Sequence, residues 1–124
     1  MTLTRIDQAL ETVLASRDST REYLAATDWL GEHDPVDMET LEAALVAQFE
    51  ESLAALVSRL GPVEYDDRSD WAAVDAWYPE ALRCACWRHD DGLLFLALEW
   101  HDRDTPIGLL VGFATQDDVR ERSV

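Results

Sequence analysis

Apolar and polar positions follow a helical spacing through the first half of the chain. From Leu3 to Leu14 the apolar residues stand mostly three or four apart, the spacing that lines one face of a helix. The same stripe would next reach Arg17 and Arg21, which do not belong on an apolar face. We therefore predict a break near residues 16–20, followed by a second, short helix over residues 19–30.

The next segment carries the clearest helical pattern in the sequence. A regular apolar stripe runs from Met38 to Leu60, preceded by Pro35 at the first helical position and Asp34 as a plausible N-cap. Gly61 and Pro62 then supply the stop, because glycine favours the helix C-terminus and proline prevents continuation. The pattern predicts one long helix whose opposite side is rich in alanine.

The last third of the chain changes to the period of two that is typical of strands. Residues 81–89 alternate in polarity, and residues 93–101 and 107–114 form apolar runs of strand length separated by turn signals. These runs predict an antiparallel meander of three strands, or four if residues 63–65 join it. Both faces of residues 93–101 are apolar, so we expect this strand to be central and covered on both sides.

Two short helices are expected beside the meander. Asp70 can cap a helix that runs from Trp71 to about Trp77 and ends before Pro79. Thr115 can cap a final helix at the C-terminus.

The predicted fold class is α+β, with two to three N-terminal helices packed on a C-terminal antiparallel three- to four-stranded β-meander and a short final helix. The 124 residues fit one domain. Its helical part spans about residues 1–61, a mixed segment 62–80, the meander about 81–115 and the last helix 116–122.

The charge balance is the strongest fact of composition. The chain has 26 acidic residues and 10 basic residues, all of them arginine, which gives a formal charge of −16. Phosphate binding requires basic side chains, so this balance argues against direct contact with nucleic acid or an anionic membrane. It fits a surface solvated for solubility or high salt, a basic protein partner, or imitation of a polyanion.

Localisation follows from what the sequence lacks. No run of about 18 apolar residues exists to span a membrane, and the start has no signal-peptide pattern. We expect a cytoplasmic protein.

Acidic and aromatic side chains interleave between Glu64 and Pro79. Aromatic residues supply rigid contact area at interfaces, and carboxylates around them steer a basic partner. The alternative is that the tryptophans fill the core while the acids face water. The candidate partner-binding residues are Tyr65, Asp66, Asp67, Asp70, Trp71, Trp77 and Tyr78.

Other constellations point less clearly to chemistry. Cys84 and Cys86 with His89 and His101 include zinc-ligand types, but the cysteine spacing is too short for the usual sites, so we expect small buried thiols and no metal. Glu99 shares a strand face with His101 and could serve general acid–base chemistry. Motifs for a cofactor are absent, and none is expected.

The sequence favours a binding role over an enzymatic one. Small, acidic and aromatic-rich, the chain is similar in general properties to bacterial immunity proteins and antitoxins that neutralise basic toxin enzymes. That similarity implies an acidic domain that engages, and inhibits, a basic protein. The alternatives are a small enzyme or ligand-binding domain that uses Glu99 and His101, and an oligomeric adaptor, such as a homodimer, that uses the alanine-rich helix face.

Overall fold

The fold is α+β, as predicted, and is built around an antiparallel sheet. The computed structural model describes residues 5–16, 18–26, 35–90, 92–100 and 106–123, and their side chains except those of 35–38. Within these ranges the chain forms four helices and five strands. In chain order they are α1 (Arg5–Ala15), β1 (Thr20–Ala26), α2 (Pro35–Leu60), β2 (Tyr65–Asp66), α3 (Trp71–Trp77), β3 (Ala81–His89), β4 (Gly92–Glu99), β5 (Gly108–Thr115) and α4 (Gln116–Arg122).

The strands form one sheet in the order β1-β5-β4-β3-β2. The predicted meander is confirmed as β3, β4 and β5, in which each strand pairs antiparallel with the next. Strand β4 lies in the middle and is buried along its whole length, as its two apolar faces predicted.

The order of elements differs from the prediction at β1. Residues 19–30 were predicted to be helical, but Thr20–Ala26 is a strand that pairs antiparallel with β5, with Thr20 opposite Phe113. The open edge of β5 offers this segment a full row of backbone hydrogen-bond partners, which outweighs a weak local helix preference. The helical and sheet portions of the chain are therefore interleaved.

One face of the sheet is covered by α1 and α2. Helix α1 contributes Leu10 and Val13, and α2 contributes Leu45, Phe49 and Leu56, all of them buried against the sheet. Together they form the larger apolar core. The opposite side of α2 is exposed, including its alanines at positions 43, 44, 47, 54 and 55.

The other face of the sheet is covered by the short helices α3 and α4. A second core forms here from Val74, Trp77 and Tyr78 against apolar residues of the central strands. The rings of Trp77 and Tyr78 each lie edge-on or tilted to their neighbours, with centroids 5.3 and 5.5 Å from that of Phe95. Edge-to-face packing of this kind suits the charge distribution of aromatic rings.

Helix boundaries follow the predicted capping residues. Helix α2 stops before Gly61, whose φ of 91° is readily adopted by glycine. The carboxylate of Asp70 accepts a hydrogen bond from the Ala73 amide at 3.1 Å and caps α3. Thr115 caps α4 by accepting from the Asp118 amide. The predicted cap Asp34 lies outside the described residues.

Candidate functional site

The predicted partner-binding residues divide between the core and one surface loop. Trp77 is 2% exposed and Tyr78 is 0% exposed, so both belong to the second core and offer a partner no surface. Tyr65 is half-buried, and its hydroxyl accepts a hydrogen bond from the Trp77 indole at 2.9 Å. These three aromatic side chains therefore hold α3 against the sheet.

The aspartates of the same segment stabilise the turn that leads into α3. Asp66 accepts hydrogen bonds from the amides of Arg68 and Ser69, at 3.0 and 2.7 Å. Asp67 accepts from the Arg83 guanidinium at 3.0 Å and from the Cys84 amide at 2.9 Å. The turn is thus fixed by its own carboxylates, and Asp67 forms an ion pair with Arg83, which also pairs with Glu50 at 2.8 Å.

Trp71 is the aromatic residue of this segment that faces solvent. It is 50% exposed at the first position of α3, among the large apolar side chains the most exposed in the described part of the chain. The cap residue Asp70 precedes it, and Asp75 lies one helical turn further along, where i and i+4 residues share a face. Both aspartates are exposed, so the indole is flanked by carboxylates.

A second polar site surrounds Glu99 at the end of β4. Glu99 is 2% exposed, and its carboxylate accepts hydrogen bonds from the hydroxyls of Tyr23 and Tyr78. The Arg21 guanidinium forms an ion pair with it at 2.8 Å and also lies over the Tyr78 ring, 5.2 Å from the centroid. A buried carboxylate requires such partners, because an unpaired charge in the core is costly.

The strand register and the end of α3 bring this cluster together from three elements. Arg21 and Tyr23 come from β1, Glu99 ends β4, and Tyr78 follows α3. Gly108 pairs with Glu99 across the two strands. A Cβ atom at position 108 would lie only 2.8 Å from the Tyr23 ring, which is too close for any side chain there. Glycine therefore lets the tyrosine cross β5 to reach the carboxylate.

Sequence reasoning selected Glu99 as a polar site residue and Tyr78 as a partner-binding residue, but it did not place them together and it missed Arg21 and Tyr23. Glu99 was selected together with His101, which lies outside the described residues. Arg21 and Tyr23 were assigned to a helix, where they could not have been placed beside Glu99. Residues 20–24 (Thr-Arg-Glu-Tyr-Leu) do not alternate between polar and apolar types, so the available strand signal was the β propensity of Thr20 and Tyr23, which did not outweigh the capping pattern at Ser19.

Burial changes the acid–base behaviour of all three tyrosines. Burial raises the pKa of Tyr78, and the partial burial of Tyr23, which is 48% exposed, raises its pKa too; the neighbouring Glu99 carboxylate raises both further. Burial likewise raises the pKa of Tyr65, with Cys86 as the next cause. The folded protein therefore holds these phenolic protons more tightly than the unfolded chain does.

We predict that the domain loses stability as pH rises above about 10, where unfolded tyrosine releases its proton. Below that pH the tyrosines are protonated in both states, and their contribution to the free energy of unfolding is fully present. Above it the tyrosines of the unfolded chain ionise, which stabilises the unfolded state, while those of the folded state stay protonated. Tyr78 alone should contribute a slope of about 1.4 kcal/mol per pH unit. Urea unfolding between about pH 8 and 11 measures the slope, and Tyr78→Phe should reduce it. Tyrosinate absorbance that appears near pH 10 in the folded protein for all three residues would contradict this expectation.

A cavity of about 310 Å³ opens beside the Glu99 cluster, on the sheet face that α3 and α4 cover. Phe95 and Ala114 line it from the sheet, Trp77 from α3, and Asp118 and Arg122 from α4. Arg21 and Thr20 line it from β1, and Ser19 and Phe113 also contribute.

The two cysteines are buried thiols on the same sheet face. Their sulfur atoms lie 3.7 Å apart without a disulfide. Hydrogen bonding to Cys86 and burial raise the pKa of the Cys84 thiol well above its usual value, which opposes the thiolate form that binds metals. Among the described residues, no group of three or more histidine, cysteine, aspartate or glutamate side chains is placed to hold a metal ion.

Comparison with known proteins adds no relative to these observations. No protein-family model matches the chain, and searches of the curated proteins and of the solved structures return no match.

Within the described residues, none of the helices combines the length and the apolar character that crossing a membrane requires.

Proposed function

We propose that this domain binds a basic protein partner through the start of α3, with Trp71 as the anchor. The single observation that supports the proposal is the half-exposed indole of Trp71 beside the exposed carboxylates of Asp70 and Asp75. A large aromatic side chain left in water is the type of residue that dominates interface energetics, and nearby carboxylates favour a cationic partner.

The local charge supports a basic partner. Between residues 64 and 75 the chain carries five carboxylates and one arginine, within a protein whose formal charge is −16. The arginine is Arg68, whose guanidinium lies 3.9 Å from Glu50. A surface of this sign accelerates association with a positively charged protein and slows it with an anionic one.

The finer proposal is that the partner is a basic enzyme, such as a nuclease toxin, which the domain inhibits. Carboxylates would then occupy the arginines or lysines that otherwise hold phosphate. The contact residues are narrower than the sequence suggested, because Trp77 and Tyr78 fill the core and Asp66 and Asp67 hold the turn. Trp71, Asp75 and the exposed Asp70, one oxygen of which caps α3, remain available for a partner.

The first test is capture of partners from the native cell lysate at low salt by wild-type protein and by Trp71→Ala. Truncation of a central aromatic anchor costs about 2 kcal/mol or more, so we expect roughly thirtyfold weaker binding of the authentic partner. Val57→Ala is the matched control, because it truncates another exposed apolar side chain, on α2. A captured protein that Trp71→Ala retains as well as Val57→Ala does would argue against the assignment.

The charge component has its own variant pair, measured on the same purified partner. Asp70→Asn with Asp75→Asn removes two charges while asparagine still caps α3. The control, Glu39→Gln with Glu51→Gln, removes two exposed charges from α2. We expect the first pair, and not the second, to slow association at low salt and to weaken its salt dependence. Equal association rates for the two double variants would show that the carboxylates at the start of α3 do not steer the partner.

Two other functions remain as alternatives with separate tests. An adaptor role would use the exposed alanines of α2, and sedimentation at micromolar concentration distinguishes a homodimer from a monomeric inhibitor. An enzymatic role for Glu99 would need a carboxylate that reaches substrate. In the described structure that carboxylate instead accepts hydrogen bonds from two tyrosines and one arginine. This arrangement supports a structural role, in which Glu99 fixes the positions of those three side chains.

A further inference from the structure

Arginine side chains lie over aromatic rings at two places within this fold. The Arg21 guanidinium is 5.2 Å from the centroid of the Tyr78 ring, and that of Arg83 is 4.8 Å from the centroid of the Phe49 ring. Each arginine also forms an ion pair with a carboxylate, at 2.8 and 3.0 Å respectively. A guanidinium can make both contacts at once, because its flat face stacks on a ring while the N–H groups at its edge bind a carboxylate.

The start of α3 presents the same ring and carboxylates without an arginine. The Trp71 side chain is 50% exposed, and the exposed carboxylates of Asp70 and Asp75 lie one position before it and one helical turn after it. Among the residues that the structure describes, no arginine lies over the Trp71 ring, and neither aspartate forms an ion pair. The arginine nearest in sequence, Arg68, instead lies 3.9 Å from Glu50. A ring and two carboxylates are therefore left for a cation from outside the chain.

The kind of cation follows from the shape of this surface. Tryptophan is the best of the aromatic rings at attracting a cation to its face. A guanidinium is planar and weakly hydrated, so it can stack on the indole and still donate two hydrogen bonds to a neighbouring carboxylate. The ammonium group of lysine is a compact, strongly hydrated point charge that cannot do both. The surface therefore favours arginine over lysine.

We propose that Trp71 and Asp75 recognise an arginine side chain on the surface of the partner. This inference rests on the proposed function and makes it more specific. The guanidinium stacks on the exposed indole face and donates to the Asp75 carboxylate, while Asp70 adds negative charge beside it. The partner is then a protein whose contact surface presents arginine, and lysine at the same position binds more weakly.

The test uses two short peptides of equal charge at low salt. One is a hexapeptide of alternating glycine and arginine, the other has lysine in place of arginine, and both have blocked termini. Titration of the isotope-labelled protein is followed by nuclear magnetic resonance. We expect a saturable shift of the Trp71 indole N–H signal and about three- to fivefold tighter binding of the arginine peptide. The Trp77 indole, which is buried and donates to Tyr65, is the internal reference and should not shift.

Two variants of Trp71 separate the ring from general charge attraction. Trp71→Leu keeps an apolar side chain but removes the aromatic face, so it should bind both peptides equally. Trp71→Phe keeps an aromatic face and should retain a reduced preference for arginine. The backbone amide signals of residues 70–73 report binding in both variants. Equal affinity of the wild-type protein for the two peptides, an unshifted Trp71 signal, or a preference that persists in Trp71→Leu would each overturn the proposal.

The peptide titration and the capture of partners from lysate can fail separately. A captured protein that is lost with Trp71→Ala, together with equal binding of the two peptides, would keep the protein-binding role and refute the arginine contact. A clear preference for the arginine peptide, together with a captured protein that Trp71→Ala retains, would support the arginine contact and refute the role of Trp71 as the anchor for that protein.

Discussion

Replacing Glu99 with alanine is expected to lower the free energy of unfolding by about 3 kcal/mol. The variant removes a buried carboxylate and leaves three donors without their acceptor, from Arg21, Tyr23 and Tyr78. The buried Tyr78 hydroxyl and the partly buried guanidinium would then lose hydrogen bonds that water cannot fully replace. This expected loss lies at the lower end of the range for breaking a buried ion pair, because the Arg21 side chain keeps access to solvent.

Urea unfolding of the variant measures this loss, and Glu51→Ala provides the matched control. Glu51 is exposed on α2, so its removal changes the net charge equally but should alter stability by no more than about 0.5 kcal/mol. Glu99→Gln should fall between the two, because an amide keeps one acceptor oxygen and loses the charge. If Glu99→Ala cost no more than Glu51→Ala, the cluster would have no structural importance.

Replacing Phe49 with alanine is expected to lower the free energy of unfolding by about 3–5 kcal/mol, the range for deleting a buried aromatic ring. Phe49 is 0% exposed at the centre of the contact between α2 and the sheet. Its ring also supports the guanidinium of Arg83, 4.8 Å from the centroid, which in turn binds Asp67. The substitution would therefore leave a cavity and also loosen the turn that leads into α3.

Thermal or urea unfolding measures the loss, and Gln48→Ala serves as the control because it truncates the exposed neighbour in the same helix. That control should change the unfolding free energy by about 0.5 kcal/mol or less. Since total stabilities are commonly about 5–15 kcal/mol, Phe49→Ala should unfold far below the wild-type midpoint. A small effect would mean that α2 is not held by this residue.

The two sites described here are linked through α3. Trp71 at its start carries the proposed partner contact, and Trp77 at its end lines the cavity. Tyr78 then follows and binds Glu99. Substitutions in the Glu99 cluster should therefore be checked for partner binding as well as for stability, because they affect how α3 is seated on the sheet.

Local pattern and end signals determined much of the secondary structure. Helix α2 was predictable because its apolar stripe and its proline and glycine boundaries agree with one another. The meander was predictable because one alternating segment and two apolar runs, all of strand length, are separated by turn residues. The caps Asp70 and Thr115 were predictable because a side chain that satisfies nearby helix amides needs no distant partner.

Tertiary structure decided the features that depend on distant partners. Thr20–Ala26 became a strand because β5 offers an open edge 82 to 93 residues away along the chain, which no local window contains. Trp71 and Trp77 lie in the same short helix, yet only packing on the sheet decides that one is exposed and the other buried.

The Glu99 cluster shows the same limit most clearly. Its carboxylate interacts with residues 21, 23 and 78, which come together only when β1 pairs with the edge of β5 and α3 packs on the face of the sheet. By itself the sequence determined which residue types and local elements were available: a long amphipathic helix, a central apolar strand and a large excess of carboxylates. The fold decided which of those carboxylates are buried, which hold turns and which remain for a partner, because burial and charge pairing are properties of the assembled sheet and not of neighbouring residues.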